Sequence, residues 1–526
     1  MKEGFRQAMA WLHTWAGLIF GWLLFAIFLT GTLAYFKDET NHWMQPEIPA
    51  RPVSTEASLA LAQAYLGQHA PGAARWIIDL PSARDPRLSV RWQQTPAKPG
   101  ERGQLTEKLL DPQTGNQVQG RETRGGEFFY RFHFQLQMPY PWGRWLSTLA
   151  AMVMFVALIS GIITHKKIFK DFFTFRPRKG QRSWLDGHNA VGVLVLPFHL
   201  MITYSSLVIF MAMVMPASIV AAYKGDAQAF YSEVFPAANT PPSAGKPAPL
   251  VALAPLLEQA RGQWSGGRAA RVTVSNPGDA NASVILARES ADRVVYDYGS
   301  AVTFNGVTGE LLDSTPPRTL PMAIAGGFYG LHMGHFAGPL LRWLYFICGL
   351  AGTAMIGTGL VIWLGKRQLK HVKSGVLPFE LRLVEVLNIA SMSGLLVAVA
   401  VYFWANRLLP VGMVGRADWE VDSFFIVWGL SLLHALVRRG RAAWVEQLTL
   451  AAALFAAVPL LNALTTPWHL GVSLVEGDWA MAGFDLACLA SGLLLGWAAW
   501  KMQRAERAKA RGQQRARSTH LEQEAN

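Results

Sequence analysis

Seven of the 13 histidines in this 526-residue chain lie in or beside apolar stretches of its first 370 residues: His13, His133, His165, His188, His199, His332 and His335. An imidazole in or near a bilayer core costs free energy unless it has a partner, so chemistry is the first reading for the set. His188 and His199 are 11 residues apart. On the helix expected there, that spacing returns to within ~20° of the same face and covers ~16 Å of axis. One helix would then offer a ligand to each of two cofactors stacked through a membrane. Neutral imidazole tolerates such a site, and iron porphyrin held by two axial ligands in apolar surroundings favours electron transfer over oxygen chemistry. Proton relay competes for the whole set, but a relay usually brings intramembrane Asp or Glu, and these stretches carry almost none.

Plainer readings stand beside these. His165 precedes Lys166 and Lys167 and fits a place among lipid headgroups equally well. His335, in His-Met-Gly-His, could pair with His332 on a small metal or a substrate, although two histidines without carboxylates are a poor zinc set. His42, His69, His371 and His520 fall in hydrophilic segments and read as surface residues, and His434 and His469 carry no assigned role.

The elements that must position these side chains are apolar helices. Only 16% of the chain is charged, against about 25% for a soluble domain, and 51% is hydrophobic. Eight segments approach the ~20 apolar residues a bilayer requires: Trp11–Phe36, Trp145–Thr164, Val191–Met215, Trp343–Leu364, Val384–Trp404, Phe424–Leu436, Leu448–Leu464 and Ala480–Trp500. The sixth is the shortest. The first is too long and too aromatic for a cleaved leader and has no small-residue cleavage site after it. Cys348 and Cys488 lie inside apolar runs, which excludes a disulfide framework or a Cys-rich metal site and fits plain packing. The net charge of +13 does not indicate nucleic acid, because the basic residues cluster beside apolar segments, as positive-inside topology requires. Lys166, Lys167, Lys170, Arg176, Arg178, Lys179 and Arg182 follow span two; Lys366, Arg367, Lys370 and Lys373 follow span four; Arg438, Arg439 and Arg441 follow span six; Lys501, Arg504, Arg507 and Lys509 follow span eight. All four clusters share one side if both termini are cytoplasmic. The tail from Lys501 to Arg517 then reads as a helical extension against anionic lipid headgroups.

Two long loops face the other way. Each opens with a helix-like stretch, at Ser58–Gln68 and Leu250–Arg261, and continues with alternating strands such as Arg87–Trp92, Ala269–Val274 and Ser283–Ala287. Each closes on a Thr-Gly turn, at Asp111–Gly115 and Phe304–Gly309. Ala237–Pro249, rich in Pro and Ala, reads as a flexible connector. The membrane parts repeat too. His13 with Gly17 matches His188 with Gly192; Phe129 to His133 matches Phe328 to His332; Arg144-Trp145-Leu146 matches Arg342-Trp343-Leu344; and Ser160-Gly161 matches Thr358-Gly359. The expected architecture is an α-helical polytopic membrane protein of about eight spans, with a pseudo-symmetric four-helix bundle made from two repeats. Its divisions are span one at 1–36, a first α+β module at 37–131, spans two and three with a basic loop at 132–215, a second module at 216–326, span four at 327–365, a linker at 366–378, a four-span extension at 379–500 and a basic tail at 501–526.

Six stretches stand out in combination: Leu12-His13 with Gly17, Ile159 to Lys167, Phe173 to Pro177, Ser183 to Asn189, Leu196 to Leu200 and Thr358 to Trp363. Together they resemble the PepSY-associated transmembrane family, which includes iron-regulated and siderophore-reductase membrane proteins. The resemblance covers residues 1 to about 370 and leaves the extension outside. It implies a bacterial inner-membrane protein with two periplasmic PepSY-like modules that binds haem b on histidines and reduces ferric iron or ferric siderophore. By repeat symmetry two haems are expected, one on His13 and His188 and the outward one on His133 and His332, with His199 and His335 as close substitutes. The sequence has no Rossmann fingerprint or flavin motif, which leaves a quinol or a separate reductase as electron donor. Two rivals remain: a non-enzymatic regulator whose modules restrain a periplasmic partner, and a permease for iron chelates.

Overall fold

A computed structural model describes residues 2–48, 53–95, 103–165, 176–177, 179–234, 241–296, 299–315, 319–371 and 376–525. Part of the basic loop after span two, including Lys166, Lys167, Lys170, Arg178 and the Phe173–Phe175 stretch, lies outside the described residues, as does Lys373. Among the described residues six helices are long and apolar enough to cross a bilayer: Trp142–Thr164, Pro339–His371, Phe379–Leu408, Arg416–Val437, Gly440–Thr465 and Trp479–Ala508. Two broken pairs, Gly4–Ile19 with Gly21–Ala34 and Gln181–Leu194 with Leu196–Ile209, bring the total to eight if each is one span. The chain is a multi-pass membrane protein. The sixth stretch is the end of a 22-residue helix, and hydropathy hides its start because Arg416 and Glu420 open it. Both are fully buried against each other.

The described chain forms two compact units, one of Met1–Met44, Glu122–Leu196 and Cys348–Asn526, the other of Gln45–Arg121 and Pro197–Ile347. The second unit contains β1 (Arg75–Asp79), β2 (Leu88–Gln93), β3 (Leu105–Leu110), β4 (Gln117–Val118), β5 (Ala269–Ser275), β6 (Ser283–Arg288), β7 (Ala301–Asn305) and β8 (Leu311–Ser314). Period-2 alternation turns Trp76, Ile78, Val90, Val272, Val274, Val284 and Phe304 into one core, covered by the helices Thr55–His69 and Ala254–Gln263. Sequence reading expects two separate modules. The structure joins their strands in one antiparallel sheet of order β4-β3-β2-β1-β5-β6-β7-β8. The physical reason is edge satisfaction: β1 and β5 would each expose a row of unpaired backbone groups, and pairing Ile77 with Thr273 closes both edges. Asp79 on β1 accepts from Arg91 on β2 at 2.6 Å and from Arg271 on β5, so an ion pair also crosses the seam.

The expected flexible connector is only partly described, and the described part is held. Asp279 accepts from Ala244 N, Asn281 N and Ser243 Oγ, each at 2.8 Å, and Pro247 forms an isolated bridge with Asp279. The backbone donors of Ala244 and Asn281 are the main cause of a carboxyl pKa lowered to about 2. A depressed carboxylate stabilises its contacts above the unfolded value near 4 and loses that contribution as pH falls through the folded one. Hydrogen exchange at the Ala244 and Asn281 amides should therefore be protected at pH 4 and lose its protection as the pH falls through about 2. Asp279→Asn should show weakened protection already at pH 4.

In the first unit the C-terminal spans seal onto the short helix Lys37–Met44. Trp43 is fully buried, donates its Nε1–H to Asp485 at 2.9 Å and carries Arg407 3.7 Å from its ring centre. Arg407 also donates to Asn462, which donates to Asp485 at 3.0 Å. His42, read from sequence as a surface residue, is buried and lies 2.7 Å from Asp478. Its hydrophilic neighbours suggested solvent, but a carboxylate far along the chain takes that place.

Candidate functional site

His13 belongs to the helix Lys2–Ile19 and His188 to the helix Gln181–Leu194. Their ring centres are 6.4 Å apart, with the planes at 70°. Each ring is fixed in the same way. His13 Nδ1 lies 2.8 Å from Ala157 O, and His188 Nδ1 lies 2.9 Å from Met355 O and 3.1 Å from Thr358 Oγ1. Ser160 and Thr358 donate their hydroxyls to those same two carbonyls. A carbonyl can only accept, so Nδ1 carries the proton in both rings and Nε2 keeps its lone pair.

Glycine makes these seats possible. A Cβ at Gly161 would stand 3.1 Å from His13 Cε1, and one at Gly359 would stand 3.3 Å from His188 Cε1. The matched Ser160-Gly161 and Thr358-Gly359 pairs are therefore where each half receives a histidine from another helix. Sequence reasoning aligned the pairs without finding this role, and it missed the carbonyls of Ala157 and Met355 altogether. The repeated small-residue dipeptide was the available signal.

Both rings line a cavity of about 720 Å³ in the first unit, within the roughly 300–1,000 Å³ usual for cofactor sites. Leu18, Met154, Leu196, Met355 and Leu360 supply apolar wall. His165 and Asn189 lie in the same lining, with Asn189 Nδ2 2.8 Å from His165 Nε2. His165 thus joins the cavity with that nitrogen already engaged.

The other candidates sit elsewhere. His133, on the helix Glu127–Gln135, has Nδ1 2.8 Å from Ile27 O and packs on Gly31, a third copy of the carbonyl-and-glycine seat. In the second unit His332 Nδ1 lies 2.9 Å from Ser205 Oγ, and His335 Nδ1 lies 3.0 Å from Ser290 Oγ. His199 is fully buried there, beside Phe198. The face-matching of His188 with His199 assumed one continuous helix. The structure breaks that helix between Leu194 and Leu196, so the spacing argument does not hold.

Among the described residues no three His, Cys, Asp or Glu side chains form a ligand set for a bare metal ion. Two imidazoles in an apolar cavity suit a metal that brings its own equatorial ligands. An imidazole bonds a metal at about 2 Å with its ring centre roughly 1.2 Å further back. Opposed rings on one metal then have centres roughly 6–6.5 Å apart, the separation found here. The engaged Nδ1 atoms are the usual support for a ligating imidazole. The residues present fit haem.

No curated protein matches the chain. The model of the PepSY-associated TM region matches residues 10–366, a segment that contains all seven candidate histidines and stops before the C-terminal extension. The chain belongs to the PepSY-associated transmembrane family.

Proposed function

We propose that the cavity holds haem b on His13 and His188, and that the protein carries electrons across a bacterial inner membrane to ferric iron or ferric siderophore in the periplasm. The observation that carries this reading is the 6.4 Å ring separation with both Nδ1 atoms tied to backbone carbonyls. The positive-inside pattern supports a cytoplasmic position for the His13–His188 end and a periplasmic one for the eight-stranded sheet. The family supports the iron assignment, and a quinol or a separate reductase is the proposed donor.

When bound, iron porphyrin supplies a one-electron couple. The chain's residues do the rest. Ala157 and Met355 orient the imidazoles and fix the Nδ1–H tautomer, the support that commonly accounts for 10–100-fold in metal affinity. His13 and His188 would both be engaged in holding the group, an arrangement that would favour electron transfer over oxygen chemistry. Leu18, Met154, Leu196 and Leu360 would give the ring an apolar wall, and apolar surroundings lessen solvent reorganisation when charge changes. Purified protein should show a Soret and an α band that shift when dithionite is added. A colourless, redox-silent preparation from haem-replete cells would sink this reading and favour the restraining regulator or the chelate permease, neither of which needs a chromophore.

A further inference from the structure

Three cations line the same cavity as the two imidazoles: Lys366, Arg367 and Lys370. Lys366 and Lys370 are exposed and cost little to leave unpaired. Arg367 is held. Its guanidinium carbon is 3.7 Å from the Trp363 ring centre and 5.7 Å from that of Trp15, and the two indoles pack edge to face at 6.1 Å. Its one hydrogen bond runs from Nη1 to Trp363 O at 3.3 Å, which leaves most of its five N–H donors for another acceptor. Among the described residues no carboxylate forms an ion pair with any of the three. A half-buried guanidinium stacked on aromatic rings, beside an apolar cavity and without a protein anion, is arranged to take an anion from a ligand.

We propose that Arg367, backed by Lys366 and Lys370, binds the carboxylates of the flat apolar ring that His13 and His188 ligate, and so sets which edge of that ring faces the basic end of the cavity. The proposal rests on the haem reading and adds a positioning residue to it. A phosphate on a lipid headgroup offers similar chemistry, so the experiment must separate the two anions.

The test uses the full chain, purified without haem from haem-limited cells, in nanodiscs of either zwitterionic or anionic lipid. It is titrated with haem b and with haem b dimethyl ester, whose carboxylates are masked. The wild-type protein should prefer the free acid by roughly 10-fold or more, the scale of a charge-assisted hydrogen bond. Arg367→Gln should remove most of that preference while keeping a six-coordinate low-spin spectrum, and Arg367→Lys should restore part of it. The midpoint potential of Arg367→Gln should also fall, because a positive charge beside the iron favours the reduced form. Equal affinity for acid and ester in the wild-type protein, with normal low-spin bands, overturns the clamp and leaves the haem reading standing. A preference that vanishes only in anionic lipid assigns Arg367 to headgroups and overturns it as well. Absence of any Soret band takes down both.

Discussion

Changing His188 to alanine is expected to remove the six-coordinate low-spin haem spectrum and to weaken haem retention by at least 100-fold. The estimate follows from scale: loss of an outer hydrogen bond to a ligating histidine commonly costs 10–100-fold in metal affinity, and loss of the ligand costs more. His13→Ala should behave alike, since its ring is held by an equivalent carbonyl on an equivalent glycine seat. Added imidazole should restore part of the low-spin signal in either single variant, because truncation leaves a ring-sized void against Gly161 or Gly359. Thr358→Val removes only one of two acceptors around His188 Nδ1 and should cost about 10-fold or less. Optical titration and electron paramagnetic resonance read all three variants. Persistence of low-spin haem in the His13→Ala/His188→Ala double variant would transfer the ligand role to other histidines.

The largest loss of stability is expected at Arg416→Ala, about 3–5 kcal/mol, because it strands a buried carboxylate. Arg416 and Glu420 are both fully buried. Arg416 also donates to Glu122 O at 2.7 Å, while Glu420 accepts from Thr123 at 2.5 Å and from Asn406 at 2.7 Å. Glu420→Gln keeps the shape and three possible partners and should cost less. The double variant Arg416→Met/Glu420→Leu should recover much of the loss, as buried pairs replaced by apolar groups often do. Unfolding in mixed micelles, followed by tryptophan fluorescence, measures the series. An Arg416→Ala shift below about 1 kcal/mol would mean that water or lipid headgroups reach the pair. Haem retention should follow stability here. Leu381 and Val384 of the C-terminal spans pack against Leu360 and Trp363, which line the cavity, and Trp22 donates to Asn388 at 2.8 Å.

How much of this was legible in the chain depends on the range of the interaction. The spans could be read because hydropathy is local, but the break before Gly21 could not, since it sits inside uninterrupted apolar sequence; the one at Val195 had a local signal in Pro197, which hydropathy alone passes over. The His13–His188 match was visible as a repeated His-x-x-x-Gly motif. Its basis, a carbonyl four residues before a glycine on another helix, is a tertiary fact that only the Ser160-Gly161 and Thr358-Gly359 repeat hinted at. His42 was misjudged, and the sixth span was begun at Phe424 instead of Arg416, for one reason: polar residues at a span's end look solvated when their partners, Asp478 for His42 and Glu420 for Arg416, are not considered. Strands within each module followed from alternation, whereas the β1–β5 pairing joins residues almost 200 positions apart and leaves no trace in either segment.

The β1–β5 seam is nearly self-complementary. Trp76 lies opposite Val274 and Ile78 opposite Val272, around a central Ile77–Thr273 pair, and all four flanking residues turn into the core. Exchanging the two strands reproduces the ladder, which is the rule for an isologous contact between identical subunits. A chain half as long, carrying one module and two spans, would possess the same self-complementary border and would be expected to dimerise through it. Here both halves of that border lie in a single polypeptide, so they meet at any protein concentration.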